Sequence, residues 1–401
     1  MDMNFRFAIV SDLHIGLPHT IWDHPSRFHL VEVSIPAFES VLEHLTQLDL
    51  DFLLIPGDLT QHGEPENHAW LQTRLSQLPF PVYVVPGNHD VPVLMANEQS
   101  IAFGDFPHYY RQFGYKNPDQ CYYNHQILPG VRLIGLNSNS YDHKGKQIGR
   151  LDDNQFRWLE AELAAITDEL VLVIIHHNVV EHLPNQSDHP MANRYMLENA
   201  PQLLDLLRKY GVRLVFTGHL HVQDVACADG VYDITTGSLV SYPHPYRVLE
   251  FQRDHIGREW LQIVSHRVES VPDFPDLQES SRQWMGDRSY PFLIKLLTLP
   301  PLNLPLAQAQ ELAPDLRDFW ATIADGDGVL DYPEFPLEVR RYIQKYGAIT
   351  QTGHPTPIDN NSRLVIGDWG AEEQRRKLRI PHGSQRHYYE LRCRQIAKTE
   401  V

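Results

Sequence analysis

The chain has 401 residues, of which 42% are hydrophobic and 21% charged, an ordinary balance for a soluble globular protein too long for one simple core. A formal net charge of −17 disfavours general binding to a nucleic-acid backbone. The three cysteines, Cys121, Cys227 and Cys393, lie far apart with no CxxC, which argues against a disulfide framework or a thiolate zinc site and fits a reducing compartment. No apolar run approaches the roughly 18 residues of a membrane span. The N-terminus reads directly into a strand without a signal-peptide pattern, so a cytoplasmic enzyme is expected. Histidine is abundant, at 23 residues, so its placement matters more than its number.

In chain order, apolar strands alternate with amphipathic helices over the first two-thirds. Strands are predicted at Phe5–Ser11, Phe52–Ile55, Val82–Val85, Val131–Leu136, Leu170–Ile175, Arg213–Thr217, Val231–Thr235, Tyr246–Gln252 and Glu259–His266. Helices are predicted at Ile35–Leu48, Glu66–Leu78, Asp152–Ile166 and Ala200–Tyr210. Phe156, Leu159 and Leu163 form one buried stripe on the third of these, and Asp152 is its candidate N-cap. This alternation predicts an α/β domain with a largely buried sheet.

Near residue 266 the composition shifts. Prolines 272, 275, 291, 300, 301 and 305 cluster, strand signals fade, and helical patterns follow at Leu306–Ala324 and Leu337–Tyr346. The expected organisation is therefore a catalytic domain over 1–266 and a mostly helical region over 267–401. Residues 371–401 carry eight Lys/Arg and four Asp/Glu. They read as a solvated basic helix or an intramolecular partner for the acidic domain, with a nucleic-acid tail as the other reading.

Five predicted strands end in Asp, Asn or His. These tips are Asp12-Leu13-His14, Gly57-Asp58, Gly87-Asn88-His89-Asp90, His176-His177 and Gly218-His219-Leu220-His221. Any one of them alone is an ordinary polar turn. In α/β sheets, however, ligands bind beyond the carboxyl ends of the strands, so five such tips in order converge on one site. Asp and Asn bring hard oxygen donors and His brings nitrogen, a mixture suited to Mn, Fe or Zn. Seven donors exceed what one open catalytic ion needs and suit two ions sharing a carboxylate, an arrangement that serves displacement at phosphorus.

As an ordered set, Asp12-x-His14, Gly57-Asp58, Gly87-Asn88-His89-Asp90, His176 and Gly218-His219-x-His221 resemble the signature of the calcineurin-like metallophosphoesterases over about residues 5–265. The stretches GDLTQHGEPENHAWLQTRLSQLPFPVYVVPGNHD (57–90) and GRLDDNQFRWLEAEL (149–163) resemble one branch, the bacterial class III cyclic nucleotide phosphodiesterases. The resemblance implies a four-layer αββα sandwich, two mixed sheets flanked by helices. It implies that Asp12, His14 and His221 hold one ion, that Asn88, His176 and His219 hold the other, and that Asp58 bridges them. It also implies a metal-bridging hydroxide as nucleophile and His89 beside the substrate as acid or donor, with Asp90 orienting it. Asn88 and His89 would contact the substrate. The branch reads His-His-Pro after the fifth strand, whereas this chain has His176-His177-Asn178. The change lies at the substrate rim, where His177 is either a substrate-side donor or packs under the loop.

The expected activity is hydrolysis of a small phosphodiester, with a 3′,5′- or 2′,3′-cyclic nucleotide as the leading substrate class. A phosphomonoesterase on the same scaffold is the main alternative, and a DNA-processing nuclease or a silent scaffold are weaker ones. A cation close to the ions would favour a monoester; the strand tips carry no Lys or Arg, and Arg150, Arg194 and Arg247 are the ones that could reach in. Residues 323–335, IADGDGVLDYPEF, resemble a calcium loop but carry Ile323 at its first ligand position and Pro333 before Glu334, so an acidic turn is expected there. No membrane partner is expected, and the C-terminal region is a candidate homo-oligomer contact.

Overall fold

The computed structural model describes residues 2–22, 27–348 and 358–368. The chain begins with β1 (Met3–Ile9), α1 (Ser34–Leu45), β2 (Phe52–Ile55), α2 (Pro65–Leu75), β3 (Val82–Val84) and a short α3 (Phe106–Tyr109). It continues with β4 (Tyr123–Leu128), β5 (Val131–Gly135), β6 (Asn139–Tyr141), β7 (Gln147–Gly149), α4 (Asp153–Ala165), β8 (Leu170–Ile174) and α5 (Ala200–Lys209). Next come β9 (Leu214–Thr217), β10 (Asp224–Ala228), β11 (Val231–Thr235), β12 (Pro245–Arg253) and β13 (Arg258–Arg267). The remaining elements are α6 (Leu277–Thr298), α7 (Leu306–Leu312), α8 (Phe319–Ala324), α9 (Leu337–Gln344) and β14 (Asn361–Asp368).

Two six-stranded mixed sheets result, ordered β14-β13-β12-β1-β2-β3 and β10-β11-β9-β8-β5-β4, with β6 and β7 forming a separate hairpin. β1, β2 and β3 run parallel, as do β5, β8, β9 and β11. The parallel strands are buried on both faces, which is why Phe52–Ile55 is an unbroken apolar run. β8 shows the period of two: Leu170, Leu172 and Ile174 join the core between the sheets, while Val171, Val173 and Ile175 join α4 and α5 on the outer face. Phe7 links the sheets, its ring 4.9 Å from Phe52 in its own sheet and 5.5 Å from Phe216 in the other. Asp152 caps α4 as expected, accepting a hydrogen bond from the Gln155 amide at 2.8 Å. The architecture is the expected helix-flanked pair of mixed sheets.

Several elements differ from the sequence expectation. The predicted helix Leu306–Ala324 is two helices, α7 and α8, with a 3-10 turn at Ala313–Leu316 between them. Pro314 supplies no amide hydrogen and disfavours helix before it, so the helix breaks there. Helix α6 is long and encloses Pro291, and its buried face includes Ser281, Gly286 and Ser289 as well as leucines. β13 ends at Arg267, where the composition shifts, but β14 returns to the first sheet and pairs antiparallel with β13. In the acidic loop, Asp325 pairs with Arg267 at 2.6 Å, Asp331 pairs with Arg340 at 2.9 Å, and Asp327 accepts amides from Asp359 and Asn360 at 3.1 and 3.0 Å. Those carboxylates therefore turn to separate protein partners. The basic stretch 371–401, with Cys393, lies outside the described residues.

The C-terminal helices build a core of their own. Leu293, Leu296, Leu297, Leu316, Phe319 and Ile343 pack there with Leu183, Ala192, Leu220 and Val222. Those last four flank the rim loop after β8 and the β9 tip, so the C-terminal region bears directly on the segments that shape the site.

Candidate metal centre

Tips from both sheets meet at the carboxyl edge. β1 delivers Asp12 and His14, β2 delivers Asp58, and β3 delivers Asn88 and His89. From the second sheet, β8 delivers His176 and β9 delivers His219 and His221. Asp12, His14, Asp58 and His221 present donor atoms all within 4.8 Å of one another. Asp58, His176 and His219 form a second such set, so Asp58 belongs to both. Asn88 joins the second set, its Oδ1 being 3.1 Å from His176 Nε2.

The backbone is bent to make this convergence. Asp12, His14, Asp58, His219 and His221 have φ of 51°, 42°, 49°, 67° and 59°. Left-handed φ costs a non-glycine residue of order 1 kcal/mol or more, and five such residues in one place indicate strain held by function. Glycine is required where Gly87 passes Asp58, since a Cβ there would fall on the Asp58 carboxylate.

The donor atoms fit cations better than they fit one another. His14 Nε2 and His221 Nε2 face each other at 3.4 Å, with Asp12 Oδ1 3.1 Å from the latter. His176 Nε2 and His14 Nε2 lie 3.4 and 3.8 Å from Asp58 Oδ2. Burial pushes His14 and His219 well below the ordinary histidine pKa, leaving neutral nitrogens with free lone pairs. Burial opposes ionisation of Asp58, but the charges of His176 and His89 overcome it and hold the carboxyl well below its usual range. Burial likewise lowers His176, and Asp58 more than reverses this, raising it to about 9. Two carboxylates, an amide oxygen and four imidazoles with one carboxylate shared are a donor set of the kind a dinuclear metal centre uses.

The residues beside this set are placed less uniformly. His89 donates its amide to Asp58 Oδ1 at 2.8 Å, and its ring stands edge-on to His14 at 4.7 Å. The ring is oriented by the Gln61 carbonyl, 2.7 Å from Nδ1, and not by Asp90 as the sequence reading expected. Asp90 instead ties down the turn itself, accepting from the Gly87 amide at 2.8 Å and from the Thr60 amide and hydroxyl at 2.9 and 3.1 Å. Burial and the nearby Asp58 charge raise Asp90 to about 7. His177 is buried, with Nδ1 2.7 Å from the Ser138 hydroxyl and its ring 4.4 Å from the proposed ligand His219. Of the three arginines, Arg247 is fully buried and donates to the Thr235 carbonyl at 2.9 Å. Arg150 lies 3.7 Å from Glu198. Arg194 borders the centre: it covers the Tyr195 ring at 4.7 Å, and that ring is 5.0 Å from His219.

His29 was not singled out in the sequence. It sits between β1 and α1, away from any strand tip, and only the fold brings it to His14.

The family model described as calcineurin-like phosphoesterase matches residues 5–223, more than half of the chain. A probable glycerophosphodiester phosphodiesterase from Arcobacter nitrofigilis is 27% identical over 231 residues, covering 53% of this chain and 70% of that protein. A 3′,5′-cyclic-nucleotide phosphodiesterase from Nostoc sp. is 27% identical over 188 residues, covering 46% of this chain and 62% of that protein. A 3′,5′-cyclic adenosine monophosphate phosphodiesterase from Haemophilus influenzae is 24% identical over 286 residues, covering 68% of this chain and 94% of that protein.

Proposed function

Because this chain belongs to the calcineurin-like phosphoesterase family and is a metal-dependent phosphoric ester hydrolase, we propose that it cleaves a small phosphodiester, with cyclic nucleotides as the leading class. In this reading Asp12, His14 and His221 hold one ion, Asn88, His176 and His219 hold the other, and Asp58 joins them. The observation that carries it is the membership of Asp58 in both donor sets. The names of the relatives divide between a glycerophosphodiester and cyclic nucleotides, and both classes are diesters.

Two bound ions would supply Lewis-acid charge for displacement at phosphorus and for activation of a water. The protein's own part is orientation. The His89 amide fixes Oδ1 of Asp58, leaving Oδ2 toward His14 and His176. The Gln61 carbonyl accepts a hydrogen bond from His89 Nδ1, so Nε2 is the ring nitrogen left to face a leaving oxygen. Asp90 and Thr60 hold the turn that carries both Asn88 and His89.

One observation favours a second reading. Arg194 is an exposed cation bordering His219, and a dianionic monoester would use it. Turnover of manganese-loaded protein on bis(p-nitrophenyl) phosphate and p-nitrophenyl phosphate separates the two. A strong preference for the diester is expected. A preference for the monoester, abolished by Arg194→Ala, would move the protein to the phosphomonoesterases.

A further inference from the structure

The β6–β7 hairpin belongs to neither large sheet, yet it bears on each of the three residues assigned to the second ion. Gln147 Nε2 donates to the Asn88 carbonyl at 2.8 Å and to the Val91 carbonyl at 3.1 Å, so one side chain spans the turn that carries Asn88 and His89. The Tyr141 hydroxyl donates to the same Val91 carbonyl at 2.6 Å, and Asn139 Nδ2 donates to the Pro86 carbonyl at 2.8 Å. Both ends of the turn are therefore tied to the hairpin through its side chains.

The same hairpin seats the side chain that packs on the other two ligands. Ser138, just before β6, accepts the His177 amide at 3.2 Å, and its hydroxyl lies 2.7 Å from His177 Nδ1. Gly149 of β7 passes so close to the His177 ring that a Cβ there would fall on it. The ring held in this way is 4.4 Å from the His219 ring and 5.4 Å from the His176 ring. Ligands of the first ion are held differently. The Asp12 and His14 amides donate to the Gly57 and Asp58 carbonyls at 3.2 and 2.9 Å, strand tip to strand tip.

We propose that the β6–β7 hairpin is the positioning element of the second metal site, acting chiefly through Gln147, and that the first site is left to the strand tips. The proposal rests on the two-ion reading above. Asn88 offers a neutral oxygen, without the charge that draws a carboxylate to a cation, so the placement of its backbone weighs more. Contacts outside the ligand set orient the ligands and tune the hold on the metal.

Manganese titration of the metal-free full-length protein tests this, read by calorimetry and electron paramagnetic resonance. Gln147→Met keeps the length of the side chain and removes its donor. The wild type is expected to bind two ions. Gln147→Met should lose about ten- to a hundredfold in affinity for one ion and leave the other unchanged, and its spectrum should shift from a coupled pair toward single ions. In an Asn88→Ala background, which already lacks a ligand of the second ion, adding Gln147→Met should change the affinity of the remaining ion by less than about twofold. Tyr141→Phe trims one hydroxyl and should give a smaller loss at the same site. Wild-type binding by Gln147→Met, or by Tyr141→Phe where the former does not fold, would overturn the proposal. So would a loss shared by both ions, or one that falls on the ion remaining in Asn88→Ala, since the hairpin would then support the fold and not one site. Fewer than two ions in the wild type would overturn the two-ion reading and this proposal with it.

Discussion

His89 illustrates how little of a residue's role is carried by its name. Its side chain is aimed by a backbone carbonyl, that of Gln61, which no pattern of residue types announces. The strand tips were legible because they break apolar runs with Asp, Asn and His, and the fold brings donor atoms from those tips close together. The expected Asp90–His89 contact was not legible, since adjacent residues at a turn point to different sides and Asp90 instead bonds Gly87 and Thr60. His29 was hidden because its nearness to His14 is purely tertiary. If His89 donates the Nε2 proton to the leaving oxygen, the effect of removing it depends on the leaving group. His89→Ala should lower kcat by about 10²–10⁴ for an alkoxide leaving group and much less for p-nitrophenolate. Equal losses on both, in parallel assays of an alkyl and a nitrophenyl diester, would assign His89 to binding instead of proton transfer.

At the level of elements, the loop after β8 is held by a buried charge cluster. His182 Nδ1 lies 2.5 Å from Asp224 Oδ2 and its Nε2 lies 3.3 Å from Asp233 Oδ2. Asp233 also accepts the Val179 and Val180 amides at 2.7 and 3.0 Å, fixing the start of the rim loop. Burial alone would lower the His182 pKa, but Asp233 and Asp224 raise it to about 10, from an ordinary value of 6.5. A raised histidine stabilises the fold fully below its unfolded pKa, and that contribution is lost as pH rises toward the folded value. Denaturant unfolding of metal-loaded protein between pH 7 and 9 should therefore lose about 1.4 kcal/mol per pH unit more in the wild type than in His182→Gln. Parallel pH profiles for the two would contradict the charged cluster. The C-terminal helices act on the same loop through their shared core, in which Leu297 is fully buried. Leu297→Ala should cost about 2–5 kcal/mol by denaturation and lower turnover as the Leu183–Val222 side loosens. Full activity in a destabilised Leu297→Ala would separate that core from the site. These elements were the hardest to read. The buried face of α6 is diluted by Ser281, Gly286 and Ser289, so it shows no apolar stripe. β14 has only a short apolar run and is a strand because β13 offers it an edge.

For the whole molecule, the alternation of strands and helices made an α/β domain legible, while the pair of facing sheets entered only through the family resemblance; Phe7 against Phe216 is one contact that joins those sheets. No helix among the described residues is long and apolar enough to cross a membrane. The net charge of −17 predicts that the enzyme is selective for small anions over polyanions. Duplex DNA at about 0.15 M salt should leave hydrolysis of a small diester unchanged, and competitive inhibition that weakens as salt rises would favour the nuclease reading. The central claim concerns the two ions that Asp58 joins. Metal analysis and electron paramagnetic resonance of the manganese-loaded protein test it most directly. The account predicts two ions per chain with an exchange-coupled signal, reduced to an uncoupled one in Asp58→Ala. One ion per chain, or two ions that are magnetically independent in the wild type, would contradict it.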